Sequence, residues 1–91
     1  MLWSRPGADD DLVAYEDRVL ALMREHGGRV LQRVRTDGAC GAPLEIQILE
    51  FQSDSALDAY LADDRRASLS SARHGAIART DTFHVDLVGL R

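Results

Sequence analysis

The chain has 91 residues, of which 45% are hydrophobic and 29% charged, with a formal net charge of −4. That length suits one domain spanning residues 1–91 with a modest core, for which association with a second copy is a common remedy. The acidic balance and lack of a basic stripe exclude an obvious nucleic-acid or anionic-membrane partner; Arg65-Arg66 is offset by Asp63-Asp64.

The N-terminal Met1–Arg5 precedes a Pro6-Gly7 turn signal and reads as a first strand carrying Leu2 and Trp3. It is short against the about five or six residues usual for a strand, and a start further upstream would lengthen it. No basic region followed by an apolar run is present, so no signal peptide is expected.

Asp9, Asp10 and Asp11 offer a helix N-cap and first-turn negative charge, favoured by the helix dipole. Leu12, Tyr15, Val19, Leu22, Met23 and His26 then recur at three- and four-residue spacing, predicting a helix over about Asp10–His26. Gly27-Gly28 ends it, because glycine tolerates the left-handed C-cap. Arg29–Arg35 (RVLQRVR) and Leu44–Phe51 (LEIQILEF) are strands joined by the glycine-rich turn Thr36–Pro43, which makes an antiparallel hairpin. Ser53 caps the next helix, which buries Leu57, Tyr60 and Leu61; a second helical stretch runs over about Arg65–Ala78. Thr82–Leu87 (TFHVDL) alternates like a half-buried strand. The order is βαββαβ, an α+β fold with a four-stranded antiparallel sheet.

Helices on one side require one apolar strand face. Period-two alternation assigns Val30, Val34, Ile46, Ile48, Phe83, Val85 and Leu87 to it. The other face carries Leu31, Arg33, Arg35, Glu45, Gln47, Leu49, Phe51, His84, Asp86 and Val88. Pairing Arg35 with Glu45, Arg33 with Gln47 and Leu31 with Leu49 matches charge to charge and apolar to apolar. Leu31, Leu49, Phe51 and Val88 are too apolar for a face left in water, so a second copy of the sheet is expected to cover it.

The segments AYEDRVLALMREHGGRVLQR (Ala14–Arg33) and EFQSDSALDAYLADDRR (Glu50–Arg66) resemble the dimeric α/β-barrel superfamily, and more narrowly an uncharacterised branch of small ferredoxin-like proteins in it. The resemblance spans about Val13 to Leu87 and implies two four-stranded sheets facing each other in a homodimer. It would bring Arg33, Gln47, His84 and Asp86 into a cavity, with Leu31, Leu49, Phe51 and Trp3 as further ligand-binding candidates. The superfamily holds cofactor-free monooxygenases, lactone isomerases, dehydratases and haem-handling enzymes with no shared catalytic motif. The short first strand departs from its pattern.

His84 and Asp86 are the candidate catalytic pair: an imidazole beside a carboxylate is a plausible general base. Side chains two apart on a strand stand ~7 Å apart, however, and a partly solvated strand face or a structural ion pair with Arg33 is the favoured reading. Arg33 has the fork-shaped donors to bind a carboxylate or enolate, or to pair with Glu45 or Asp86. Tyr60 lies on an apolar helix stripe and reads as core. His26 suits a helix end, and His74 has polar neighbours typical of a surface.

His84 and Asp86 alone make a weak metal pair and no HExxH pattern occurs, so no metal is expected; the turn TDGACGAP has no phosphate-loop spacing, and no cofactor is expected. Cys40 is the only cysteine, which excludes an intrachain disulfide and suits a reducing compartment, with the cytoplasm as default. No basic neighbour activates it as a nucleophile. The leading expectation is a homodimer binding a small organic molecule in its barrel. The alternatives are a cofactor-independent monooxygenase- or isomerase-like enzyme using His84, Asp86 and Arg33, and a structural or protein-interaction dimer with no ligand.

Overall fold

The structure is a computed structural model that describes residues 1–88. Strand β1 is Leu2–Ser4 and is followed by helix α1, Asp9–Ala21. Three aspartates fill the first turn of α1, but its N-cap is Ala8 and no side chain caps it; the Asp9 carboxylate instead accepts from Ser4 Oγ at 2.5 Å. The helix expected to reach His26 stops at Ala21, and Met23–His26 tightens into a 3-10 turn. Gly27 closes that turn at φ 69°, in the left-handed region that disfavours any side chain.

Strands β2 (Gly28–Arg35) and β3 (Glu45–Phe51) form the predicted hairpin. Helix α2 (Asp54–Leu61) begins as expected, with Ser53 Oγ accepting from Ala56 N at 3.1 Å. The second helical stretch divides into α3 (Asp64–Ala67), capped by Asp63, and α4 (Ser70–Ala76). Strand β4 is Ile77–Thr80. The four strands make an antiparallel open sheet in the order β2-β3-β1-β4. No helix among the described residues is long and apolar enough to cross a membrane.

The last strand therefore lies earlier than the alternation of Thr82–Leu87 predicts. Ile77 has left the helix and is buried opposite Ser4, while residues 81–88 have no regular structure. Phe83, Val85 and Leu87 are exposed rather than packed under helices, and Val88 is exposed as well.

Two of the three predicted hairpin pairs are present, Arg35 with Glu45 and Arg33 with Gln47. The third is not: a bulge between Val30 and Gln32 makes Leu31 an extra residue, and Val30 faces Leu49. Below the bulge, Gly28 pairs with Phe51, where an added Cβ would come within 2.6 Å of the Phe51 ring.

Apart from Val30, which pairs with Leu49 and stays on the helix side as expected, the two sheet faces are the reverse of the prediction. Leu2 is part of the core and pairs with Glu45, and directly paired residues share a face, so Glu45 points inward. Alternation then carries Gln47, Leu49 and Phe51 of β3 and Arg33 and Arg35 of β2 to the helix side. Contacts agree: Arg33 reaches Asp17 on α1, and the Phe51 ring lies 5.3 Å from that of Tyr60 on α2. Val34, Ile46 and Ile48, expected beneath the helices, lie on the uncovered face. The inversion is possible because Asp17 of α1 and Glu45 of β3 pair with Arg33 and Arg35 of β2, so the inner face is neutralised by pairing rather than by apolar composition.

The core, where Leu2, Leu12, Tyr15, Val19, Leu44, Ala76 and Ile77 cluster, adjoins Glu45 through its paired neighbour Leu2. Tyr60 is buried beside it, and its hydroxyl donates to the Val19 carbonyl at 2.7 Å. One sheet layer and one helix layer give a slab only 17 Å thick.

Candidate functional site

Two regions concentrate the residues that could do chemistry or bind a ligand. The first is the ionic cluster between β2, β3 and α1. Glu45 is fully buried and is the acceptor at its centre. Arg33 grips it with two donors, Nε to Oε1 and Nη2 to Oε2, the latter at 3.2 Å. Arg35 Nη2 adds a longer contact at 3.4 Å, and Gln47 Nε2 donates to Oε1 at 2.8 Å. The remaining side of the Arg33 fork, Nη1, donates to Asp17 Oδ1 at 2.6 Å.

These contacts decide the protonation states. Burial pushes the Glu45 carboxyl up, but the hydrogen bonds from Arg33 and Gln47 and the charges of Arg33 and Arg35 outweigh it and hold it below its ordinary value. The hydrogen bond to Glu45 is the main influence raising the Arg33 guanidinium pKa. Glu16, one position before Asp17, behaves oppositely: burial first, then the nearby Glu45 charge, raise it despite Arg66, Arg73 and Arg33. The cluster thus holds one carboxylate saturated with donors and one carboxyl biased toward its neutral form. A saturated carboxylate is a poor base, and Arg33, spent on two carboxylates, is poorly placed to take an enolate.

The second region is the uncovered sheet face. Trp3, Val34, Ile46 and Ile48 lie there by alternation and register. Val34 is 47% exposed. The Trp3 indole donates Nε1–H to the Gly41 carbonyl at 2.8 Å, and the Arg79 guanidinium lies 4.5 Å from its ring centroid. That stacking leaves a polarised aromatic rim beside an aliphatic patch.

The predicted site residues divide between these regions. Arg33 and Gln47 come together, but beneath the helices, with Leu49 and Phe51 on the same side. Leu31 is the bulge residue. Trp3 alone among the ligand-binding candidates lies on the uncovered face. His84 and Asp86 are exposed in the segment after β4, and among the described residues neither hydrogen-bonds to Arg33 or Gln47.

Tyr60 is core, as its spacing implied. His26 does more than complement a helix end: its Nε2 lies 2.8 Å from Asp63 Oδ2, which Arg65 also engages. Those bonds, Arg65 first and His26 second, hold the Asp63 carboxyl far below the usual range. His74 and Cys40 are exposed. Sequence reasoning missed Glu16, although a signal existed: it falls four residues after Leu12 and three before Val19, on the apolar stripe of α1.

Among the described residues no group of three or more His, Cys, Asp or Glu is arranged to hold a metal ion. The best-formed depressions are open grooves, one between α1 and α4 lined by Tyr15, Arg18 and Ala72, the other beside Met23, Gly28 and Val30. No family model matches the chain, and neither the curated proteins nor the solved structures include a significant match, so its functional reading rests on this geometry.

Proposed function

We propose that the protein acts as a homodimer whose uncovered sheet faces pack against each other, in the manner of a ferredoxin-like dimeric α/β barrel, and that the space between them holds a small apolar organic molecule. The observation that carries this reading is the apolar patch of Trp3, Val34, Ile46 and Ile48 on a face that no helix covers. The helix contacts of Arg33 with Asp17 and of Phe51 with Tyr60 support it, because both lie on the opposite side of the four-stranded antiparallel sheet. The broad side of the molecule measures 41 × 35 Å, larger than the about 800 Å² per partner of a standard interface. Packed sheets stand about 10 Å apart, and rims of Trp3 and Arg79 would admit a flat aromatic or aliphatic ligand.

Binding is favoured over catalysis because the groups available for proton transfer are elsewhere. Arg33 and Glu45 are consumed by each other, and His84 and Asp86 stand away from them. Trp3 is the only tryptophan and reports directly on the uncovered face. Sedimentation at micromolar concentration should show a dimer with blue-shifted Trp3 emission. Ile48→Asp places two carboxylates in a two-fold interface and should weaken it by more than about a hundredfold while shifting Trp3 emission to the red. Binding of anilinonaphthalene sulfonate, read by energy transfer from Trp3, should disappear with the dimer. A monomer with solvent-like Trp3 emission at that concentration would falsify the dimer; a dimer that excludes the dye and apolar ligands favours a purely structural role.

A further inference from the structure

The segment after β4 has the alternation of a strand but no regular structure. The last backbone hydrogen bond of this edge is Asp81 N to the Met1 carbonyl at 2.9 Å. Beyond it, Thr82–Val88 is exposed at every residue, and Phe83 is 62% and Leu87 66% exposed. Its residues still alternate, with Phe83, Val85 and Leu87 on one side and His84 and Asp86 on the other. Such a segment, whose amides have no backbone partner among the described residues and which has an apolar face, is suited to adding to an open sheet edge.

An open edge of matching pattern exists on β2, which among the described residues pairs only with β3. Above its bulge β2 presents Val34 to the uncovered face and Arg33 and Arg35 to the helix side. A strand laid along it with Phe83, Val85 and Leu87 on the uncovered face would extend the patch of Val34, Ile46 and Ile48. The same placement sets Asp86 and His84 beside Arg33 and Arg35. β2 carries three arginines and no acid, while the described tail beyond Asp81 carries Asp86 and no lysine or arginine, so the charges are complementary. Arg35 is half-exposed and has capacity left after its long contact to Glu45.

The tail cannot make this ladder with its own β2. It leaves the sheet at the β4 edge, and the open side of β2 is four strand spacings away, ~19 Å. Seven extended residues reach ~23 Å, which leaves about one to pair after the crossing. We infer that residues 82–88 are exchanged between two copies, each tail adding as a strand to the β2 edge of the other. The exchange rests on the homodimer proposed above, and its two-fold symmetry makes the two additions equivalent. It would also return His84 and Asp86 to the neighbourhood of an arginine pair, in the other copy.

The test uses the full chain and the variants Val85→Pro and Ile48→Asp, with sedimentation, amide hydrogen exchange and isotope-filtered contacts in a mixed-label sample. Proline removes one donor from the tail and touches no core residue, so the variant should fold. In the parent, the alternate amides of 83–87 that face β2 should be protected at dimeric concentration and lose protection on dilution. Phe83 or Val85 should show contacts to Val34 of the differently labelled copy. Val85→Pro should abolish that protection and weaken the dimer by more than about tenfold. A parent that is dimeric with an unprotected tail overturns the exchange and leaves the dimer standing, as does a Val85→Pro dimer of unchanged affinity. Contacts confined to one labelled copy overturn it in favour of pairing within the chain. A monomeric parent removes the dimer and the exchange together.

Discussion

Replacing Arg33 with methionine tests the reversed sheet at its most sensitive point. The substitution keeps the length of the stem but removes the group that makes two bonds to the fully buried Glu45 and one to Asp17. Breaking a buried pair from one side costs about 3–5 kcal/mol, because the surviving charge is left uncompensated. Arg35 at 3.4 Å and Gln47 at 2.8 Å remain as partial partners, so the lower end, about 3 kcal/mol, is expected. A chain of this size has roughly 5–14 kcal/mol in total. The loss should lower the thermal midpoint by about 12–24 °C and the urea midpoint by about 1–3 M.

The pH dependence supplies an internal check. The parent's Glu45 is held below its unfolded value, so its contribution is present above the ordinary carboxylate range near 4.5 and is lost as pH falls through the lower folded value. In Arg33→Met the unpaired carboxyl gains from protonation, and the gap between variant and parent should narrow as pH is lowered toward 4.5. The double variant Arg33→Met with Glu45→Met should recover most of the loss, since exchanging both members of a buried pair for apolar groups is often neutral. A cost under about 1 kcal/mol at pH 7, the level of a surface ion pair, would place Arg33 in solvent and refute the inward orientation of the hairpin.

Further outcomes follow from the groups packed around this cluster. Glu16 has a folded pKa raised above the unfolded one, so its contribution is fully present below the unfolded value and is lost as pH rises through the folded value. Glu16→Gln should therefore stabilise the protein at pH 7 and flatten the fall in stability between pH 4.5 and neutrality; denaturant titrations showing the variant weaker at pH 7 would mean that the nearby arginines dominate. Tyr60→Phe removes the buried bond to the Val19 carbonyl while keeping the ring, and should cost about 1–2 kcal/mol by urea unfolding without loss of helical circular dichroism.

Much of the local structure could be read from residue order. The period of α1, the Gly27 turn, the Ser53 cap and the hairpin with its Arg35–Glu45 and Arg33–Gln47 pairs depend on neighbours a few residues away or on a short loop, and the sequence signals for them are local. The expected α1 overran by one turn because Met23–His26 keeps helical spacing while tightening to three residues per turn. The last strand was misplaced because alternation in Thr82–Val88 marks a segment capable of being a strand but does not supply the partner that makes it one.

Only the tertiary structure decided which face of the sheet meets the helices. Binary patterning sends apolar residues inward, and on that basis Val34, Ile46 and Ile48 belong in the core and Arg33 and Glu45 outside. The rule assumes that buried charge goes unpaired. Here Asp17 on α1 and Glu45 on β3, 28 residues apart in sequence, close on one guanidinium. Leu2, opposite Glu45, fixes the register that turns the pair inward. Sequence determined most of the elements, the hairpin with two of its three expected pairs, and the presence of one mixed and one apolar strand face. The structure decided that the apolar one stays uncovered, because a long-range ion pair can satisfy an inner face that no local pattern reveals.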